Sequence, residues 1–252
     1  MAHIQPFVNH VFALAALLAL CAPARADCRD LADQGASFTV CEFDAHSATM
    51  RLFLRDGKGE TYGSFSALES ALTGKGERLV FAMNAGMYDA EHAPVGLYVE
   101  NGETLHRANT ANGAGNFHMK PNGVFWVDGA RAGVSETGRF LASHPHPAFA
   151  TQSGPLLLSG GRLNPHIHED GQSKNVRNGV CVKDGHKAIF AISNEAVTFH
   201  AFANLFRDRF ACSEALYFDG SISSLYASDL GRHDRLRPMG PIVGVVERAV
   251  HR

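Results

Sequence analysis

The sequence predicts an α+β fold: a single domain with a mixed or antiparallel β-sheet core and a few packed helices. Three observations carry this. Strand-like runs outnumber helical patterns, the helical patterns do not alternate regularly with them, and no low-complexity linker divides the 252 residues. A doubly wound parallel sheet would require that alternation. A chain this long can bury a core that is stable without a metal or a disulfide.

The elements follow in order. Val11 to Leu20 is an apolar run too short to span a bilayer, and Ala24-Arg25-Ala26 after it has the small-residue pattern of a cleavage site. Residues 1–26 are therefore expected to be a signal peptide and 27–252 the mature domain, exported to the periplasm or secreted, with no membrane span after cleavage. Ser37–Phe43 and Thr49–Leu54 alternate with period two and read as strands, the second closed by Asp56-Gly57. Ser64 starts a helix, SFSALESALTG, with Glu69 in its first turns and Gly74 after its last apolar residue. Arg78–Met83 is a buried-type strand running into Asn84-Ala85-Gly86, and Val95–Glu100 is another, ending at Asn101-Gly102. Two segments echo each other: NGVFWVDG at 122–129 and NGVCVKDG at 178–185. Each reads as a strand from an Asn-Gly to an Asp-Gly, either two hairpin strands built alike or an old duplication. Thr198 to Phe210 carries Phe199, Phe202, Ala203, Phe206 and Phe210 at helical spacing, a core stripe. Leu216–Phe218 and Ile242–Val246 are the last strands. Residues 143–149 and 164–175 read as exposed loops.

Composition excludes some classes. A formal net charge of -2 offers no basic field for nucleic acid. Export makes the cysteines informative: Cys28, Cys41, Cys181 and Cys212 suggest two disulfides, for which three pairings exist, with buried thiols as the alternative. Zinc is disfavoured by the lack of a C-x-x-C. The H-x-H pairs His144/His146 and His166/His168 sit beside prolines in loop-like sequence, a weak metal signal.

The chemistry centres on one Asp-Gly pair among five. Asp56, Asp128 and Asp184 follow strands as hairpin tips do, and Asp170 lies in a polar loop. Asp219-Gly220 ends an apolar strand and is followed by Ser221, Ser223 and Ser224. Small hydroxyl residues there suit an anion or a sugar. The competing reading is a carboxylate capping a helix over 221–226. Arg177 beside Asn178 and Gly179 could grip a phosphate bidentately. No Rossmann, nucleophile-elbow or H-E-x-x-H pattern occurs.

Taken together in order, MNAGMY (83–88), PVGLYV (94–99), KPNGVFWV (120–127), ATQSGPLLL (150–158), RNGVCV (177–182) and ALYFDGSISSLY (215–226) resemble the phosphodiester glycosidase family. This is the domain of the mannose 6-phosphate uncovering enzyme, and the likeness is to its short, exported bacterial members. The resemblance implies a hydrolase that cleaves the glycosidic bond of a sugar-1-phosphodiester, with a small-molecule or glycan phosphodiester as partner. It carries over Asn84, Gly86, Asn122, Gln152, Gly154, Arg177, Asp219, Gly220, Ser223 and Ser224 as site positions, and the adjoining Asn178 is expected at the substrate with them. A mechanism that fits takes Asp219 as base or nucleophile and Arg177 as the phosphate clamp, with Glu195 and Asp89 as candidates for a second carboxylate. The sequence departs from the family where Ser221-Ile222 replaces Gly-Gly and where Cys181 replaces a common Gly. No cofactor is required, though a divalent metal is compatible. Two other classes fit the same residues: a non-catalytic module binding sugar phosphates or wall polymer, and a metal-dependent phosphodiesterase.

Overall fold

The computed structural model describes residues 27–143, 146–219, 221–235 and 238–249. The expected signal peptide, His144 and Gly220 lie outside them.

Three antiparallel sheets close around one core. The first has seven strands in the order Asp27–Asp33, Ala36–Asp44, Lys187–Ser193, Asn178–Lys183, Ala215–Asp219, Leu156–Ser159 and Arg162–Leu163. The second has five: Arg232–His233, Leu225–Ala227, Glu77–Asn84, Ile242–Arg248 and Thr49–Phe53. The third also has five: Glu103–His106, Tyr98–Glu100, Phe149–Ser153, Gly123–Asp128 and Arg131–Glu136. Every strand pair among the described residues is antiparallel, which narrows the expected mixed or antiparallel core to the second alternative.

Period two explains the layering. Along Ala36–Asp44, Cys41 and Phe43 point to the shared core, while Phe38 and Val40 point to the outer face. The shared core holds Phe43, Phe81, Phe125, Phe190 and Phe218, contributed by all three sheets. Phe43–Phe81 and Phe81–Phe190 ring centroids are both 4.9 Å apart, the tilted packing aromatic quadrupoles favour.

Each outer face is covered by one helix. Phe65–Thr73 lays Phe65, Leu68 and Leu72 on the second sheet, and Ser64 caps it by accepting from the Ala67 N–H at 3.2 Å. Thr137–Ser143 puts Phe140 against Trp126 on the third. Phe199–Asn204, capped by Thr198, covers the first sheet with Phe202 and Ala203. The expected single helix to Phe210 instead becomes a π-helical turn over Leu205–Arg209. Leu205 and Phe206, within that turn, are both fully buried.

Both disulfides take the pairing Cys28–Cys41 and Cys181–Cys212, as expected of a chain matured in an oxidising compartment. Among the described residues no helix is long and apolar enough to cross a membrane.

Candidate active site

Asp219 is the last residue of Ala215–Asp219, and strand ends from all three sheets meet beside it. Asn178 opens the neighbouring strand and is paired with Asp219 across the ladder. Its amide donates to the Asn84 carbonyl at 2.8 Å and to Asn84 Oδ1 at 3.0 Å, so it ties the first sheet to the second. Its Oδ1 accepts from the Asp219 N–H at 3.1 Å. Asn84 Oδ1 also accepts from the Ser224 N–H at 2.9 Å. Ser223 Oγ stands 2.8 Å from both the Val176 and Asp219 carbonyls, and its one proton serves either. Ser153 of the third sheet donates to the Phe218 carbonyl at 2.8 Å. The result is a buried polar knot that fixes the backbone on both sides of Asp219. Asn84 Nδ2 and Ser224 Oγ are buried within it without a hydrogen-bond partner, spare donors at the strand ends.

Asp219 itself is 8% exposed and turns toward a cleft of about 410 Å³. Its Oδ1 accepts from the Ser221 N–H at 2.8 Å, an Asx turn. The alternative of a helix cap is overturned, because Leu225–Ala227 is a strand and no helix follows Asp219 among the described residues. The opposite walls are Met87, Tyr88 and Val95 on one loop and 114–118 on another, including Phe117 and His118. Burial first, and then the Asp219 carboxylate, push the Tyr88 hydroxyl up to about 12.

The other expected residues sort into three groups. Asn84, Asn178, Ser223 and Ser224 belong to the knot. Gln152, Asn122, Gly86 and Gly154 shape the walls. Gln152 Oε1 accepts from the Leu97 and Asn109 N–H groups, both at 2.9 Å, and its Nε2 donates to the Asn109 carbonyl at 2.7 Å. Asn122 donates to the Phe117 carbonyl at 3.0 Å and accepts from Thr137 Oγ1 at 2.8 Å. A Cβ at Gly86, where φ is +111°, would stand 2.6 Å from Thr151 Oγ1, and one at Gly154 would stand 2.7 Å from the Phe117 carbonyl. Gln152, Asn122 and Gly154 support the segment that leads to Phe117 and His118, and Gly86 lets its own loop pass close to Thr151.

Arg177 forms the third group. Its side chain is 0% exposed and does not line the cleft. Nε donates to the Val197 carbonyl at 2.9 Å, Nη2 to the Ser173 carbonyl at 2.8 Å and Nη1 to the Tyr217 hydroxyl at 3.3 Å. The guanidinium lies 3.5 Å from the Phe199 ring centroid. Burial lowers its pKa and the Tyr217 oxygen opposes that. Where a direct clamp on a phosphate was expected, the structure places these donors on protein groups, away from the cleft, at the strand start that carries Asn178. The second-carboxylate candidates also fall away from the cleft. Glu195 accepts from the Ser37 N–H at 2.9 Å, and Asp89 closes its own turn by accepting from Glu91 and Ala93.

His118 is the residue that sequence reasoning missed. Its Nδ1 stands 3.1 Å from the Ala111 carbonyl, and the ring packs on Gly113. With Nδ1 donating there, Nε2 carries the lone pair. The signal was present: the family-like motif begins two residues later, at Lys120. Among the described residues, the one cluster of three metal-capable donors does not include Asp219.

A cleft at convergent strand ends, floored by a carboxylate and walled by aromatic rings, has the concave form in which small-molecule sites are found. The profile of the phosphodiester glycosidase family matches residues 77–250, and the chain belongs to that family. It is 35% identical over 219 residues to the uncharacterized protein YigE of Escherichia coli K12, covering 87% of this chain and 85% of that one. The fold is similar to the catalytic domain of zebrafish N-acetylglucosamine-1-phosphodiester α-N-acetylglucosaminidase auto-inhibited by its pro-peptide, with a TM-score of 0.60 at 13% identity over 89% of this chain and 83% of that one. A putative exported protein of Burkholderia pseudomallei shares the fold with a TM-score of 0.52 at 10% identity over 83% of this chain and 74% of that one.

Proposed function

We propose that this is an exported hydrolase that cleaves the glycosidic bond of a sugar-1-phosphodiester, with Asp219 as the catalytic carboxylate. The observation that carries the reading is that Asp219 is the one carboxylate among the described residues lining the cleft. An ordinary glycoside needs two carboxyl groups, one to protonate a poor leaving group. Here the leaving group is a phosphate monoester, which departs as a stable anion, so that proton matters far less. One carboxylate then suffices to stabilise the oxocarbenium-like transition state and to act as base or nucleophile. His118 on the facing wall meets the phosphate, and a proton taken up at Nε2 would let it donate to the leaving oxygen. Tyr88 and Phe117 offer faces for the sugar. The sugar-1-phosphodiester named for the zebrafish enzyme supports the same substrate class.

The test is sugar release from a panel of sugar-1-phosphodiesters, with and without EDTA. Asp219→Asn, folded by circular dichroism, should lose about 10²–10⁴-fold in turnover. His118→Gln should lose less on substrates with a good leaving group than on a neutral glycoside. Retained turnover in Asp219→Asn would remove the central assignment. Saturable binding without release by the wild type would mark a binding module, and loss of release in EDTA would mark a metal-dependent phosphodiesterase.

A further inference from the structure

We propose that Asp44, His46 and His186 form a divalent transition-metal site at the end of the first sheet remote from Asp219. Asp44 ends the Ala36–Asp44 strand and His46 lies in the turn after it. His186 lies in the hairpin turn before Lys187–Ser193, and Lys187 is paired with Asp44. The Ala45 N–H donates to the His186 carbonyl at 2.9 Å, which locks the two turns together. One ligand atom from each of the three side chains lies within 4.8 Å of the others.

Two details favour a cation over a plain ion pair. His186 Nδ1 is 2.8 Å from the Asp184 carbonyl, so Nδ1 carries a proton and, in the neutral ring that binds metal, Nε2 carries the lone pair. That is the second hydrogen bond by which a metal-binding imidazole is held in orientation. Nε2 then faces Asp44 Oδ2 at 3.7 Å, too long for a hydrogen bond. Two lone-pair atoms facing each other call for a positive charge between them. Ligand atoms on zinc, at bond lengths of about 2.0–2.2 Å, stand roughly 3.0–3.5 Å apart, close to this spacing. His46 Nδ1, 2.7 Å from Asp44 Oδ1, supplies the third donor after a small outward shift. Two imidazoles and a carboxylate suit zinc, copper or nickel rather than calcium or magnesium. All three side chains reach solvent, which leaves coordination positions for water.

The site is not catalytic. Asn178 pairs with Asp219, whereas Lys183 at the other end of the same strand pairs with Lys187 beside Asp44. The five intervening steps put roughly 17 Å between the two ends. A bound ion would instead clip two turns and raise thermal stability.

The experiment is calorimetric titration of tag-free protein with Zn²⁺ alone, beside Asp44→Asn, His186→Gln and the control His166→Gln. Asn at 44 keeps an oxygen for the turn, so that variant should fold. The expected result is saturable one-to-one binding and a raised Tm. Both effects should persist in His166→Gln, and Asp44→Asn and His186→Gln should weaken binding by at least about 10–100-fold, as losses in a metal site's surroundings do. Absence of one-to-one binding, or binding unchanged in His186→Gln, would overturn the proposal. Sugar release does not enter this readout, so it stands or falls apart from the role of Asp219.

Discussion

Two stretches of this chain are nearly the same eight residues, and the molecule uses them differently. NGVFWVDG at 122–129 and NGVCVKDG at 178–185 both become an antiparallel strand that ends in an Asp-Gly turn. The Asp184-Gly185 turn has both residues at positive φ, as such hairpins require. The opening Asn-Gly of each segment is no turn. A Cβ at Gly123 would stand 2.6 Å from Leu156 Cδ2, and one at Gly179 would stand 2.5 Å from the Leu216 carbonyl, so glycine is there for close approach. The two asparagines are equally buried yet take different partners. Asn122 holds the Phe117 carbonyl within the third sheet and its loop. Asn178 bridges two sheets and holds the Asp219 backbone. Local sequence sets the strand and the buried amide, and the neighbour across the core decides whether that amide supports a wall or the carboxylate.

The comparison can be broken most sharply at Arg177, which precedes Asn178. Arg177→Ala removes a fully buried side chain and orphans two carbonyls, so chemical denaturation should show a loss of about 3–5 kcal/mol. Arg177→Lys keeps the charge but loses the fork and the ring contact, and should recover only part of that. If Arg177 instead touched a phosphate, KM would rise while stability stayed put.

The asparagines themselves come next. Asn178→Ala and Asn122→Ala should each cost about 1–3 kcal/mol, because each leaves buried partners unsatisfied. Kinetics should separate them. Asn178→Ala should lower kcat, on the order of 10²-fold, by releasing the Asp219 backbone. Asn122→Ala should chiefly raise KM, by loosening the loop that carries His118. Equal effects on both constants would mean that the two segments are interchangeable supports.

The smallest effect lies at a third Asn-Gly, Asn101-Gly102, which is an ordinary hairpin tip with both residues at positive φ. Glu100 before it accepts from the Tyr98 hydroxyl at 2.9 Å and the Leu54 N–H at 3.2 Å. Burial raises its pKa above the usual glutamate value. Folding therefore favours the protonated form, and its stabilising contribution is complete below the ordinary glutamate pKa and lost as pH rises through the raised one. Glu100→Gln should flatten that fall in thermal melts across mildly acidic pH, with turnover unchanged.

Much of this was legible from residues alone. Ser64, Thr198 and Gly74 marked helix ends because capping is local chemistry. Period-two patterns located Ser37–Phe43 and Thr49–Leu54, the apolar strand Lys187–Ser193 went unread, and six ordered motifs pointed to the family. The short strands Arg131–Glu136 and Phe149–Ser153 were missed, since their apolar residues are few and the neighbouring strand Gly123–Asp128 defines them. The H-x-H pairs His144/His146 and His166/His168 were a weak metal signal, and the donor cluster Asp44, His46 and His186 has no such local pattern. Asp44 and His186 are far apart in sequence and adjacent only through the pairing of Lys187 with Asp44.

By itself the sequence determined the β-rich α+β class, the two cysteine pairs as candidates, and Asp219 as the unusual Asp-Gly, because turn chemistry, side-chain period and capping act over a few residues. Only the tertiary structure decided that Arg177 faces inward, that Gln152 and Asn122 are spent on a loop, and that His118 shares the cleft with Asp219. Those outcomes depend on which buried donor meets which carbonyl across three sheets. Partners so distant along the chain meet only once the three sheets have closed on their shared aromatic core.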